Sequence, residues 1–182
     1  MKRVITREIE ERFRNGDRKA FDAIYAAYSA AMFGVCLRYT RCQDDAQDVL
    51  QEAFIRIYRK SGQYSLDKPL AAWIKTITIN CALTYIKQHY KFVLHEEDSF
   101  FDQQHEINIE TEDAELLRKQ LLTVLTKLPD GYRTVFNLFV IENLTHKEIA
   151  EHLEISESTS KSQFFKAKRM IHQLLDAEKV RA

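Results

Sequence analysis

The chain contains few of the residues that interrupt helices. Its 182 residues include four glycines and two prolines, fewer than a protein rich in turns and short strands normally has. No stretch approaches the eighteen or so consecutive apolar residues that a membrane-spanning helix requires. The N-terminus also lacks the apolar segment of a secretory signal. These absences favour a helical protein of the cytoplasm and argue against membrane insertion.

The sequence also lacks the motifs of common enzymes and metal sites. Cys36, Cys42 and Cys81 form no CxxC pair and have no histidine at zinc-finger spacing. We therefore interpret them as free thiols in a reducing compartment. No phosphate-binding loop, nucleophile elbow or HExxH motif is present, and no pair of carboxylates indicates a catalytic pocket. We expect no enzymatic activity, no cofactor and no metal ion.

Charge is distributed unevenly, although the formal net charge is zero. Residues 1–93 carry sixteen Lys and Arg against ten Asp and Glu, and residues 116–182 carry eleven against eight. Between them, residues 94–115 carry nine Asp and Glu and no Lys or Arg. The acidic segment has no apolar period, so residues 94–112 are interpreted as a linker. The remaining two parts are an N-terminal domain, residues 1–93, and a C-terminal domain, residues 113–182.

Apolar residues recur at helical spacing in the N-terminal domain. Three helices are predicted there, at residues 19–39, 44–58 and 70–90. Asp44 is the expected N-cap of the second helix, because Gln47 follows three residues later. Residues 61–69 are expected to form the loop before the third helix.

The C-terminal domain shows the pattern of a helix-turn-helix. Its predicted helices are at residues 114–128, 132–142, 147–153 and 157–175. Thr145 and Glu148 have the spacing of a capping box at the start of the third of these helices, and Ser156 is the expected N-cap of the fourth. Two helices joined by so short a turn are typical of modules that place the second helix in the major groove of DNA. The fold class is therefore all-α, with two small helical domains joined by an acidic linker.

The last predicted helix has an apolar face and an opposite face that is polar and basic. Such a face suits the major groove, where Lys161 and Lys166 would donate to guanine or phosphate, and Phe165 would contact a thymine methyl group or a sugar. The alternative is a solvated helix face without a ligand. Candidate DNA-binding residues on this helix are Ser158, Thr159, Lys161, Ser162, Phe165, Lys166, Lys168 and Arg169.

From about residue 17 to residue 175 the sequence resembles the extracytoplasmic-function (ECF) sigma factors of bacterial RNA polymerase. Residues 44–54 read DDAQDVLQEAF, similar to the family's DAEDLVQEVF helix. Residues 70–80 read LAAWIKTITIN, similar to its WLxxIAxN helix. In the C-terminal domain, THKEIA followed by STSKSQ resembles the family's EIA and GTVKSR pattern.

The resemblance implies a function in transcription initiation. The first matching helix would bind the clamp helices of the polymerase β′ subunit through Asp45, Asp48, Gln51 and Glu52. The second helix and the loop before it would read the promoter −10 element, where separated bases must be held by aromatic and polar groups. Candidates for the −10 contacts are Tyr64, Asp67, Lys68, Lys75, Asn80 and Lys87.

The helix-turn-helix would read the −35 element, and the C-terminal domain would also contact the polymerase β flap. Other implied partners are promoter DNA and an anti-sigma factor that holds the free protein inactive. Ser160 and Gln163 depart from the family pattern, which has Val and Arg there. The missing arginine at position 163 is expected to weaken one DNA contact.

Two other functions remain open at this point. The first is a helix-turn-helix regulator that binds an operator independently of polymerase, which would dimerise and bind duplex DNA alone. The second is a helical interaction module without DNA contact, for which Lys161 and Lys166 would be dispensable.

Overall fold

The structure, a computed structural model, describes residues 5–89 and 123–179. The chain divides into two compact units, Met1–His89 and Tyr90–Ala182. In the first unit the described helices are Arg7–Arg14 (α1), Arg18–Leu37 (α2), Gln43–Arg59 (α3) and Leu70–His89 (α4). In the second they are residues 123–126 (the described part of α5), Asp130–Phe136 (α6), His146–Leu153 (α7) and Glu157–Lys179 (α8). The prediction of two all-helical domains is confirmed, whereas the predicted linker, residues 94–112, lies outside the described residues.

Helices α2, α3 and α4 pack on one another and form the core of the first unit. The side chains that α3 buries recur at helical spacing and form one apolar stripe, Ala46, Val49, Leu50, Ala53, Phe54 and Ile57. Among the described helices, α2 is by length and composition apolar enough to cross a bilayer. Its Ile24, Val35 and Cys36 are buried in the domain, as expected of a core helix in a small helical bundle.

The first helix, α1, is not among the helices that the apolar spacing predicts. The Thr6 hydroxyl caps it by accepting from the Ile9 N–H at 3.4 Å, and Phe13 is its one buried residue. Gly16 adopts a φ of +82° after its end, a conformation that costs glycine little. Asp17 then caps α2 by accepting from Ala20 N–H at 2.9 Å.

The predicted N-cap of α3 is wrong by two residues. The helix begins at Gln43, and the Cys42 thiol accepts from the Asp45 N–H at 3.4 Å. Asp44 is therefore in the first turn, where its negative charge still interacts favourably with the helix dipole. The capping-box spacing from Asp44 to Gln47 was present in the sequence but is not used.

The second unit has an apolar cluster at its core. Val124, Leu125 and Leu128 pack there with Ala167 and Ile171 of α8. The helix predicted over residues 132–142 begins earlier, at Asp130, and continues beyond Phe136 as a π-helical turn at Asn137–Ile141. The π turn exposes Val140 and buries Leu138.

Helices α7 and α8 form the predicted helix-turn-helix. The Thr145 hydroxyl accepts from the Glu148 N–H at 3.3 Å, and the Glu148 carboxylate accepts from the Thr145 N–H at 2.8 Å. The capping box is confirmed. Helix α7 ends at Leu153, and the next residue, Glu154, caps it in the left-handed conformation with a φ of 58°. The Ser156 hydroxyl then accepts from the Thr159 N–H at 3.0 Å and starts α8, as predicted.

We predict that Thr145→Ala lowers the free energy of unfolding of the second unit by about 1 kcal/mol, because the cap hydroxyl is lost. Thermal unfolding of the full chain measures the effect. Thr126→Ala is the matched control, since Thr126 is exposed and its hydroxyl donates to the Thr123 carbonyl within its own turn instead of capping a helix N-terminus. Equal effects of the two substitutions would contradict a capping role for Thr145.

Candidate functional surfaces

The polar face of α3 is the first candidate surface. Asp48, Gln51 and Glu52 are exposed, and Glu52 forms an ion pair with Arg56 at 2.6 Å. Asp45 is only partly exposed, because its carboxylate accepts from the Tyr85 hydroxyl of α4 at 2.9 Å. Burial and this bond to Asp45 raise the pKa of Tyr85 to about 12. Asp45 therefore joins two helices, whereas the other three side chains point into solvent.

An apolar groove lies beside these polar residues, between α2 and α3, and its volume is about 480 Å³. Three large side chains at its surface remain exposed, Tyr25 at 41%, Ile55 at 39% and Tyr58 at 40%. The Tyr25 ring packs edge-on against Phe54 with centroids 4.8 Å apart. These side chains form a small apolar patch that could supply anchors for a protein partner.

These groove residues were missed in the sequence analysis, although a signal for them existed. Ile55 and Tyr58 stand on α3 outside the buried stripe, where a solvated helix would carry polar residues. Gln51 also lines the groove, together with charged groups of both signs at its edge, Arg18, Asp22 and Arg59. We call Tyr25, Asp48, Gln51, Glu52, Ile55 and Tyr58 the α2–α3 surface.

The loop before α4 contains the next candidates, and one of them is in the core. Tyr64 is 2% exposed, and its ring packs 5.4 Å from the Trp73 ring. A stacking platform for a base must be accessible, so Tyr64 does not serve as one in this conformation. Asp67 and Lys68, in contrast, are exposed.

The candidates on α4 do not all lie on one side of the helix. Asn80 and Lys87 are exposed and two turns apart, so they share a stripe. Lys75 is partly buried and points about 140° away from Asn80 at the usual rotation per residue. Thr76 and Thr84, which the sequence analysis did not select, fall on the stripe of Asn80.

The outward face of α8 carries the remaining candidates. Ser158, Lys161 and Arg169 are exposed, and the other five selected residues are partly exposed. The Lys161 ammonium forms an ion pair with Glu157 at 2.7 Å. The Lys168 ammonium lies 5.6 Å above the Phe164 ring. The side chains chosen from the sequence are thus brought together on one accessible face.

Gln163 does not lie on the predicted DNA-facing side of α8, where a DNA contact was expected. Gln163 is buried, and its side chain packs closely on Gly131, where an added Cβ would lie 2.8 Å from the Gln163 Oε1 atom. A residue in this position faces the interior of the domain. The expected loss of a DNA contact at Gln163 is therefore wrong for this chain.

Ser160, the other departure from the family pattern, is also buried and has a specific partner. Its hydroxyl lies 2.9 Å from the Nδ1 atom of His146, the first residue of α7. The His146 ring stacks on Phe139 with centroids 4.5 Å apart. Burial, followed by the charge of Lys161, lowers the pKa of His146, and Glu157 opposes this shift. The pair joins the two helices of the helix-turn-helix.

No group of three or more His, Cys, Asp or Glu side chains within residues 5–89 and 123–179 could hold a metal ion.

Comparison with known proteins assigns the chain. The model of sigma-70 region 2 matches residues 24–92, and that of sigma-70 region 4 matches residues 118–171. The RNA polymerase sigma-H factor of Pseudomonas aeruginosa is 30% identical over 178 residues, which cover 92% of each chain. The ECF RNA polymerase sigma factor SigM of Bacillus subtilis is 30% identical over 157 residues, covering 84% of this chain and 93% of that one. This chain belongs to the ECF sigma factors of bacterial RNA polymerase.

Solved structures agree with the fold of this sigma factor. CnrH, solved in complex with the cytosolic domain of CnrY, is similar with a TM-score of 0.51 at 21% identity, over 96% of this chain and 99% of that chain. The sigma factor RpoE, in a complex from Bartonella quintana, is similar with a TM-score of 0.50 at 18% identity, over 87% and 98%.

Family membership settles the broad function. The protein directs RNA polymerase to promoters at transcription initiation and is a subunit without enzymatic activity of its own. A regulator that acts without polymerase and an interaction module without DNA contact do not account for matches to both sigma regions.

The His146–Ser160 pair predicts a pH dependence of the second unit. Because the folded-state pKa of His146 lies below its ordinary value of 6.5, folding disfavours its proton. The contribution to stability is full above about pH 6.5 and is lost as pH falls through the folded-state pKa. We expect His146→Asn, which keeps an acceptor near the Nδ1 position, to flatten the decrease of the thermal midpoint on acidification. An unchanged pH slope would contradict this assignment.

Proposed function

We propose that this sigma factor binds core polymerase through the α2–α3 surface. Asp48, Gln51 and Glu52 would meet the β′ clamp helices, and the exposed apolar groups beside them would supply the desolvated centre of the interface. This combination supports the proposal because interface energy concentrates in buried aromatic and aliphatic anchors, whereas rim charges mainly guide association. The apolar anchors Tyr25, Ile55 and Tyr58 carry the proposal.

Asp45 has a different role in this proposal. Its carboxylate accepts from Tyr85 and holds the N-terminal end of α3 against α4. We assign it to positioning the polymerase-binding helix, because a side chain engaged inside the domain has less capacity for a new partner.

We predict that Ile55→Asp weakens binding to core polymerase by about tenfold or more, as charge placed at an apolar interface centre normally does. Titration of core polymerase with the labelled full chain, in the absence of DNA, measures the affinity. Ala71→Asp is the matched control, since Ala71 is exposed in the first turn of α4 and receives the same charge. If the two variants bind alike, the α2–α3 surface is not the polymerase interface.

We propose that the loop before α4 and the outward stripe of that helix contact the −10 element. Asp67 and Lys68 are exposed at the loop and suit polar contacts with an extruded base. Asn80 and Lys87 would hold bases or phosphates along the same side of α4. Lys75 points elsewhere and would contact the DNA backbone only if the strand curves around the helix. Tyr64 supports the loop from within.

We propose that α8 reads the −35 element in the major groove and that the second unit also contacts the β flap. Ser158, Thr159, Lys161 and Ser162 lie at the N-terminal end of the helix, the end that helix-turn-helix proteins present to base edges. Phe165 and Lys166 would extend these contacts. Lys168 and Arg169 would hold phosphates.

We predict that Lys161→Ala combined with Lys166→Ala weakens promoter binding by the holoenzyme. The slope of log affinity against log salt concentration should become less steep by about two, because two cations that can reach DNA phosphates are lost. In vitro transcription of a promoter library by core polymerase, with and without each protein, identifies the promoters used. The double variant should lose selection at −35 and keep it at −10. Lys60→Ala with Lys127→Ala removes two cations outside α8 and serves as control.

Two results would contradict the assignment. If the set of promoters transcribed is the same with and without the wild-type protein, the proposed promoter contacts are wrong. If the double variant selects the same −35 sequences with the same salt slope, α8 is not the reading helix.

The remaining partners follow from the same activity. In the Bartonella quintana structure the sigma factor RpoE is bound by the anti-sigma factor NepR, and we infer that an anti-sigma factor likewise holds this protein inactive. Its working place would be the cytoplasm, where core polymerase meets the chromosome. The acidic linker would then separate the two DNA-binding units within the polymerase.

A further inference from the structure

Helix α1 packs against the 64–69 loop, the segment that leads into α4. Phe13 of α1 is fully buried, and its ring lies 6.4 Å from Tyr64 and 6.1 Å from Trp73 between centroids. Three aromatic side chains thereby join α1, the loop and the first turn of α4. Helix α1 precedes residues 24–92, the part of the chain that matches sigma-70 region 2.

Polar contacts from α1 reach the loop backbone. The Arg7 Nη1 group donates to the Leu66 carbonyl. The Tyr64 hydroxyl donates one hydrogen bond that two acceptors share, the Lys68 carbonyl at 2.8 Å and the Glu10 carboxylate at 3.2 Å. Burial and the Glu10 charge raise the pKa of Tyr64 to about 12, so the hydroxyl remains a donor at neutral pH.

These contacts hold the loop on the side that faces α1, whereas its opposite side is accessible to solvent. The Leu66 carbonyl accepts from Arg7 of α1, and the Lys68 carbonyl accepts from the Tyr64 hydroxyl, which also contacts α1. Asp67, which lies between them, and the Lys68 side chain point into solvent. A short polar loop without such support would sample many conformations, and ordering it on DNA would cost binding energy.

We propose that α1 is a positioning element for promoter opening: Arg7 and Glu10 hold the 64–69 loop in the conformation that presents Asp67 and Lys68 to the separated −10 strand. This inference rests on the proposed −10 role of the loop. It adds residues that contact no DNA themselves and act through Tyr64 and the loop backbone.

The test compares two variants that break the support with one that does not. Tyr64→Phe removes the hydroxyl and keeps the ring in the aromatic cluster. Glu10→Ala removes the carboxylate that accepts from Tyr64. Glu11→Ala is the matched control, because Glu11 also pairs with Arg7, at 3.8 Å, but is exposed, whereas Glu10 is the carboxylate that accepts from Tyr64. The full chain of each variant is assembled with core polymerase on a promoter recovered from the library.

Open-complex formation is followed with a fluorescent base analogue in the −10 strand, and usage is compared across single-base variants of the −10 and −35 elements. We expect Tyr64→Phe and Glu10→Ala to slow opening about three- to tenfold, the range that one net hydrogen bond represents. They should flatten the preference at −10 and leave the preference at −35 and polymerase affinity unchanged. A merely destabilised protein would lower usage of all promoters alike.

A double variant, Asp67→Ala with Lys68→Ala, distinguishes the proposed −10 role of the loop from the proposed positioning role of α1. If it opens promoters normally, the proposed −10 role of the loop is wrong. If it is defective while Tyr64→Phe and Glu10→Ala behave like Glu11→Ala, the loop reads DNA but the positioning role of α1 is overturned. Defects in the double variant and in both support variants, with normal Glu11→Ala protein, support the proposal.

Discussion

Each helix of this sigma factor must bury one stripe of side chains, and the opposite stripe is what remains for binding. In α3 the stripe from Ala46 to Ile57 is inside, which leaves Asp48, Gln51 and Ile55 outside on a single face. In α8 burial of Ala167 and Ile171 turns the basic groups outward by the same geometry. The proposed binding surfaces are therefore fixed by core packing, and a change in the register of either helix would move the exposed stripe of that helix together with its buried stripe.

A second constraint comes from polar groups that join neighbouring helices. Tyr85 of α4 donates to Asp45 of α3, and Ser160 of α8 bonds to His146 of α7. Apolar packing alone tolerates sliding between helices, whereas a hydrogen bond between partly buried partners is lost if either group moves. Each bond joins a helix that carries a proposed binding face to a neighbour in the core, so each contributes to the orientation of that face.

Much of this arrangement can be predicted from the sequence because it depends on local rules. The capping box at Thr145, the cap at Ser156 and the outward face of α8 all follow from spacing within a few residues. Tyr64 could not be placed this way, because its environment depends on Phe13 and Trp73, which lie far from it along the chain. Helix α1 is as short as α7 and carried a signal that was not used, the Thr6 cap with Ile9 and Phe13 one turn apart. The burial of Gln163 depends on the absence of a side chain at Gly131, a tertiary detail.

The zero net charge of the chain is compatible with DNA binding because the charges are locally paired and spatially sorted. Lys161 forms an ion pair with Glu157, and Arg56 with Glu52, both at exposed positions where such pairs contribute little stability. Pairs of this kind exchange readily for a stronger partner. A DNA phosphate carries a full charge among many others, so Lys161 would transfer to it at small cost in the proposed complex. The proposed α8 face keeps a net positive charge even while this pair is closed, because Lys166, Lys168 and Arg169 lie on the same face. It would therefore attract DNA although the chain as a whole is neutral.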